Sequence, residues 1–119
     1  MTIDALDGDR ELLAAAYRDF NARHIDAVLA LMHPDVVWPN GIEGGYVHGH
    51  DGVRAYWTRQ WGLIDPHVEP LKIEKDAKGR TVVEVHQVAR DLNGKLLRDT
   101  LVHHAYTIRD NLIERMEIE

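Results

Sequence analysis

The spacing of apolar residues predicts three helices in the first half of the chain. Apolar side chains recur every three or four positions over residues 8–22, 24–32 and 52–62. In the third segment the recurring face is aromatic with one amide: Val53, Tyr56, Trp57, Gln60 and Trp61. Asp9 and Asp51 stand where the N-caps of the first and third helices are expected.

The pattern then changes to the alternation that is typical of strands. After a short strand at 35–38, strands are predicted at 67–76, 80–91, 96–109 and 112–118. The glycine-rich segment 39–52 predicts a loop. Helices followed by a run of antiparallel strands indicate an α+β fold, with the helices packed on one face of a curved sheet.

The dipeptide Asn93-Gly94 predicts a two-residue hairpin turn and so a strand register. Counting back from this turn, Gln87 faces Thr100 and Val83 faces His104. Paired residues share a face of the sheet. His104 then shares its face with Val85, Gln87, Ala89, Val102 and Tyr106. The opposite face carries Glu84, His86, Arg90 and His103, and a one-residue slip would exchange the two sets.

Composition narrows the possible classes of function. The chain has 119 residues, and we expect one domain over residues 1–119. Its 14 basic and 20 acidic residues give a net charge of −6, which disfavours nucleic acid and anionic membranes as partners. Cysteine and serine are absent, so neither a disulfide nor a serine triad can form. Without a signal peptide or membrane span, we expect a cytoplasmic protein. No phosphate-binding or dinucleotide-binding loop motif is present, and we expect no cofactor.

Three segments make the chain resemble the nuclear transport factor two-like superfamily, and within it the SnoaL-like and ketosteroid isomerase-like proteins. They are FNARHIDAVLALMHPDVVW, GHDGVRAYW and HHAYTIRDNLIERMEI, and the resemblance extends from about residue 11 to 118. It implies a cone, in which a strongly bent, mostly antiparallel cystatin-like sheet wraps around the N-terminal helices. It also implies an apolar pocket at the open end and a homodimer formed through the outer sheet face.

The resemblance also indicates where catalytic groups would stand. Matched without gaps, the general-base Asp of ketosteroid isomerases falls on Asn40. Their first-helix Tyr falls on Ala16, and their protonated Asp falls on His104, whose position points inward in the family. An amide cannot accept a proton from a carbon acid, so we do not expect steroid isomerase activity.

On this register the pocket has aromatic walls and a few polar groups, as small-molecule sites usually do. The aromatic residues are Trp38, Tyr56, Trp57, Trp61 and Tyr106. Its polar groups are Asn40, Gln87 and His104. With an unperturbed pKa of about 6.5, His104 is a candidate proton shuttle or oxyanion donor. Glu43 is the nearest carboxylate that could fold over the mouth.

Each of these assignments has a structural alternative. His104 could be a core histidine bonded to Gln87 or Tyr106, Asn40 could cap its own turn, and the tryptophans could be plain core. The pair His48 and His50 is the closest candidate for a metal site. We expect no bound metal, because no established ligand spacing is present.

The sequence thus predicts a small-molecule pocket protein. The leading hypothesis is a cofactor-independent isomerase, cyclase or dehydratase that acts on a cyclic or conjugated carbonyl compound. The alternative is a non-catalytic ligand-binding or dimerisation domain.

Overall fold

The structure is a computed structural model that describes residues 5–119. Its helices are α1 (Ala5–Asn21), α2 (Ile25–Leu29) and α3 (Gly49–Trp61). Its strands are β1 (Met32–Pro39), β2 (Tyr46–His48), β3 (Asp65–Lys75), β4 (Thr81–Arg90), β5 (Leu96–Arg109) and β6 (Leu112–Ile118). Within this range no helix combines the length and the apolar character that a membrane crossing requires.

All six strands form one bent sheet in the order β2-β1-β6-β5-β4-β3. β1 runs parallel to β6, and every other neighbouring pair is antiparallel. Helix α1 packs against β3, and α3 packs against β1, so the helices cover the inner face of the sheet. The predicted α+β architecture, with a mostly antiparallel bent sheet around the helices, is confirmed.

The core forms where the helical stripes meet the inner face of the sheet. Buried residues recur at helical spacing in α1 and α3 and at every second position in β4, which are the two periods that the sequence shows. These residues are Leu12, Leu13, Ala16, Tyr17, Val53, Tyr56, Trp57, Thr81, Val83 and Val85. Full burial of a side chain such as Leu13 contributes about 1.5–3 kcal/mol to stability.

Two predicted boundaries are wrong around β1. Helix α2 ends at Leu29, and Met32, which was placed on that helix, begins β1 beside Ile113 of β6. The predicted loop 39–52 contains β2, which pairs with the end of β1. In both cases the segment becomes a strand because it pairs with a neighbouring strand, and the local spacing of apolar residues does not reveal such pairing.

Both predicted N-caps are also wrong. Asp51 lies in the first turn of α3, and the N-cap position is occupied by His48, whose side chain forms no cap hydrogen bond. Asp9 lies inside α1 and is buried. Its Oδ2 accepts hydrogen bonds from Nζ of Lys75 at 2.9 Å and Oγ1 of Thr81 at 2.7 Å. Asp9 therefore ties α1 to β3 and β4.

The hairpin between β4 and β5 has the predicted register but a longer loop. Residues 91–95 connect the strands, and Oδ1 of Asp91 accepts the N–H groups of Asn93 and Lys95. A two-residue turn at Asn93-Gly94 is therefore wrong. An irregularity between Ala89 and Arg90 offsets the extra loop residues. Gln87 consequently still pairs with Thr100 and Val83 with His104, as predicted.

Replacing Asp9 by Ala should lower the free energy of unfolding by about 1–3 kcal/mol, because the buried Thr81 hydroxyl loses its acceptor. Urea denaturation at pH 7 measures the change. The control is Glu11→Ala, which removes an exposed carboxylate from the same helix. Equal effects of the two substitutions would show that the Asp9 contacts contribute nothing specific.

Candidate functional site

A cavity of about 300 Å³ lies between α1, α3 and the inner face of the sheet. Most of its lining is apolar. The polar side chains of the lining belong to Tyr17, Tyr56, Gln60, Gln87, Arg98, His104 and Tyr106. Four lining residues are exposed, and we call them the rim: Gly41, Ile42, Arg98 and Ile118.

Tryptophan rings form the apolar wall on the helical side. Trp38 of β1 meets Trp57 of α3 edge to face, with ring centroids 5.4 Å apart. Trp57 is 1% exposed, and its ring also contacts the rings of Trp61 and Phe20. Edge-to-face and stacked aromatic pairs are favourable beyond their buried area. The wall is therefore a packed surface that keeps its shape without a ligand.

A hydrogen-bonded chain of three side chains lies in the buried part of the wall. Oη of Tyr106 donates to Oη of Tyr17 at 2.8 Å, and Oη of Tyr17 lies 2.8 Å from Nδ1 of His104. Tyr17 reaches the site from α1. His104 and Tyr106 stand two positions apart on β5, so both point to the inner face.

The protons of this chain can be assigned from its hydrogen bonds. Because the Tyr17 oxygen accepts from Tyr106, its own proton is satisfied when it donates to Nδ1 of His104. A proton on Nδ1 would instead leave one of the two buried tyrosine hydroxyl protons without an acceptor among residues 5–119, whichever way the two hydroxyls point. Neutral His104 therefore carries its proton on Nε2.

The Nε2–H group of His104 is available to a ligand. Among residues 5–119 no side chain or carbonyl is hydrogen-bonded to it, although His104 lines the cavity. In the same range, the side-chain nitrogen that is both fully buried and without a hydrogen-bond partner is Nε1 of Trp61. Nε2 of His104 is therefore not fully buried. Nε2–H is thus a donor that faces the cavity.

Burial controls the protonation of the three groups. Desolvation, with a smaller contribution from neighbouring His103, lowers the pKa of His104 from 6.5 to about 4. Burial also raises the pKa of the Tyr17 and Tyr106 hydroxyls. At neutral pH all three groups are therefore uncharged.

A second tyrosine fixes the turn that borders the cavity. Oη of Tyr56 accepts hydrogen bonds from the Gly41 N–H at 3.0 Å and from Nε2 of Gln60 at 3.2 Å. Burial raises the pKa of Tyr56 despite the opposing effects of the Gly41 bond and of Arg59. The hydroxyl therefore anchors the rim residues Gly41 and Ile42 to α3.

Six of the nine predicted site residues line the cavity together: Trp38, Tyr56, Trp57, Gln87, His104 and Tyr106. Three do not. Oδ1 of Asn40 accepts the N–H groups of Ile42 and Glu43, which is the turn-capping alternative. Glu43 forms an ion pair with Arg59 on the surface, and Trp61 packs behind Trp57. The part that any of the nine plays in binding stays a prediction.

Sequence reasoning missed Tyr17 and Arg98 as lining residues. Ungapped matching placed the first-helix donor on Ala16, one residue before the tyrosine that bonds to His104. Tyr17 falls inside the predicted helix 8–22, and its spacing alone gives it no place in a site. Arg98 falls inside the predicted strand 96–109, where the alternation that turns His104 inward also turns Arg98 inward, six positions earlier.

Comparison with known proteins agrees with this architecture. The sequence matches the SnoaL-like domain over residues 13–116, and the chain belongs to this family. No curated protein matches it. The chain is similar to TerC, which was co-crystallised with polyporic acid, with 28% identity, a TM-score of 0.81, and 94% of this chain and 90% of that chain covered.

Two other similar structures share less sequence and therefore show the fold alone. One is a proposed polyketide cyclase from Sinorhizobium meliloti, with 20% identity, a TM-score of 0.77, and 92% of this chain and 94% of that chain covered. The other is a Mycobacterium tuberculosis protein in complex with estradiol-17beta-hemisuccinate. It has 18% identity and a TM-score of 0.79, and the match covers 93% of this chain and 92% of that chain.

The lowered pKa of His104 should make the protein less stable in weak acid. As pH falls from 6.5 to 4, the unfolded chain takes up a proton at this position before the folded chain does. The free energy of unfolding should fall by about 3 kcal/mol over that interval from this residue, then level off.

Urea denaturation of wild type and His104→Gln at pH 7 and pH 4.5 isolates this contribution, with His103→Gln as the control from the exposed neighbour. The wild-type loss should exceed the loss in His104→Gln and be slightly larger than the loss in His103→Gln, because His103 makes the smaller contribution to the lowered pKa of His104. The same pH dependence in all three proteins would mean that His104 titrates normally.

Proposed function

We propose that the cavity binds a small carbonyl compound, and that Nε2–H of His104 donates a hydrogen bond to the carbonyl oxygen. The observation that carries this proposal is the directed chain from Tyr106 through Tyr17 to His104. The chain ends in a free donor at a largely apolar cavity of about 300 Å³. Small-molecule sites commonly combine apolar walls with a few convergent polar groups of this kind.

A neutral imidazole donor suits a reaction in which negative charge develops on the carbonyl oxygen. Tyr17 polarises the ring through Nδ1, and this strengthens the opposite Nε2–H as a donor. One such preorganised donor stabilises an oxyanion by about 3–4 kcal/mol relative to its absence. The proposed activity is therefore cofactor-independent isomerisation or cyclisation through an enolate-like intermediate.

Family membership supports the same class of reaction. SnoaL-like sequence covers residues 13–116, and a similar protein, TerC, was co-crystallised with an organic acid. Among the described residues no carboxylate lines the cavity. A proton removed from carbon therefore passes to water or to a basic group of the ligand, while His104 holds the oxygen.

The second candidate function is ligand binding without catalysis. Two observations favour it: no carboxylate base among residues 5–119 lines the wall, and the pKa of about 4 makes His104 a weak base. Under this alternative the same donor and the same tryptophan wall position a ligand, and no bond changes.

We also propose that the chain forms a homodimer through the outer face of the sheet. The exposed leucines Leu97 and Leu101 support this proposal, because they alternate along β5 with the inward-facing Arg98 and Val102. Apolar patches on a sheet surface commonly mark protein interfaces.

Binding of naphthol and naphthalene tests the donor role of His104. The wild type should bind naphthol more tightly, because its oxygen accepts the Nε2–H bond. His104→Ala should weaken naphthol binding about tenfold, and Tyr17→Phe less, since a hydrogen bond contributes about 1 kcal/mol. Titration calorimetry measures both ligands. His103→Ala is the control, and equal affinity for naphthol and naphthalene would contradict the role.

Hydrogen exchange at the α-carbon of β-tetralone in deuterated water separates the enzyme from the binder. An enzyme of the proposed class accelerates exchange above the buffer rate, and His104→Ala removes the acceleration. Binding of the ketone without accelerated exchange would favour the non-catalytic alternative. NMR loss of the α-proton signal gives the rate.

A further inference from the structure

Arg98 is the one charged side chain that lines the cavity in the described part of the chain. It stands on β5 opposite Ala89 of β4, which in turn lies opposite Pro66 of β3. All three residues line the cavity, and Arg98 belongs to its exposed rim. The cavity thus has a guanidinium at its edge and no carboxylate in its wall.

The guanidinium of Arg98 has no protein partner among residues 5–119. Several other surface arginines are paired, as Arg59 is with Glu43 and Arg115 with Glu117. The nearest acidic neighbour in sequence, Asp99, points to the opposite face, where it is bonded to His86 at 2.6 Å. Arg98 is therefore free to pair with a charge that the protein does not supply.

The net charge of the chain disfavours anionic ligands, and Arg98 opposes this effect at the rim of the cavity. The chain carries a net charge of −6, and long-range repulsion acts on any acidic molecule that approaches it. A lone cation on the rim of an apolar cavity offsets that repulsion locally. Arginine is well suited to this task because its planar fork binds carboxylates with two parallel hydrogen bonds.

We propose that the ligand is an elongated organic acid, whose carbonyl oxygen meets His104 and whose carboxylate meets Arg98. This inference rests on the proposed function, since it assumes that one end of the ligand accepts the hydrogen bond from His104. Six residues separate the two positions on β5, which is roughly 20 Å along the strand. Gln87, opposite Thr100 on the same face, stands between them as a further polar contact.

Arg98 acts on specificity more than on affinity. A partly exposed ion pair is screened by salt and weak in absolute terms. The ion pair still makes the affinity for an acid differ from that for the uncharged ester of the same skeleton. The apolar contacts of the two ligands are nearly identical and do not contribute to that difference. The property to measure is therefore the ratio of the affinities for an acid and for its own ester.

The test uses three long keto acids, each against its methyl ester: the 17-hemisuccinates of testosterone, dihydrotestosterone and nandrolone, whose ketone and carboxylate stand at opposite ends of the molecule. Titration calorimetry at low salt compares wild type, Arg98→Gln, Arg98→Glu and Lys95→Gln. Lys95→Gln removes the same charge from the same hairpin but lies outside the cavity lining. The wild type should bind at least one acid about five times more tightly than its ester.

Arg98→Gln should reduce that preference to less than twofold, Arg98→Glu should reverse it, and Lys95→Gln should leave it intact. Added salt should lower the affinity for the acid and leave that for the ester unchanged. Equal binding of acids and esters by the wild type, or a preference that survives Arg98→Gln, would overturn the inference alone. Failure of every acid and ester to bind would overturn the proposed function with it.

Discussion

The site depends on one buried interaction, the hydrogen bond between the Tyr17 hydroxyl and Nδ1 of His104. Each partner would be costly to bury alone, and each satisfies the other. The bond also fixes the tautomer, because Tyr106 supplies the proton that the Tyr17 oxygen accepts. A helix, a strand and an uncharged imidazole are thereby locked into one arrangement, with Nε2–H left over for a ligand.

The bent sheet supplies the rest of the arrangement. Alternation along β5 places Arg98, Val102, His104 and Tyr106 on the concave face, and α1 and α3 close over that face. Trp38 and Trp57 contact each other edge to face and form the aromatic wall of the cavity. One strand therefore carries both an uncharged donor in the buried part and a charged group at the rim.

Features that follow from a repeating spacing of residues were predictable from the sequence. The hydrogen-bond partners of individual side chains were not. Periodicity located the helices and strands, and counting from the hairpin placed His104 on the inner face. Even there the loop was wrong, because Asp91 caps a five-residue connection that a sheet irregularity then offsets. The partners of Asp9 and Tyr17 lie 72 and 87 positions away in the chain, so no local spacing reveals them.

The protonation of His104 is the most direct test of the account, and nitrogen-15 NMR of labelled histidine measures it in the unmodified protein. The chemical shifts of the two ring nitrogens should show the proton on Nε2 at neutral pH, with a pKa near 4. Tyr17→Phe should weaken the preference for the tautomer with the proton on Nε2. A proton on Nδ1, or a titration near pH 6.5 in the folded protein, would contradict the account.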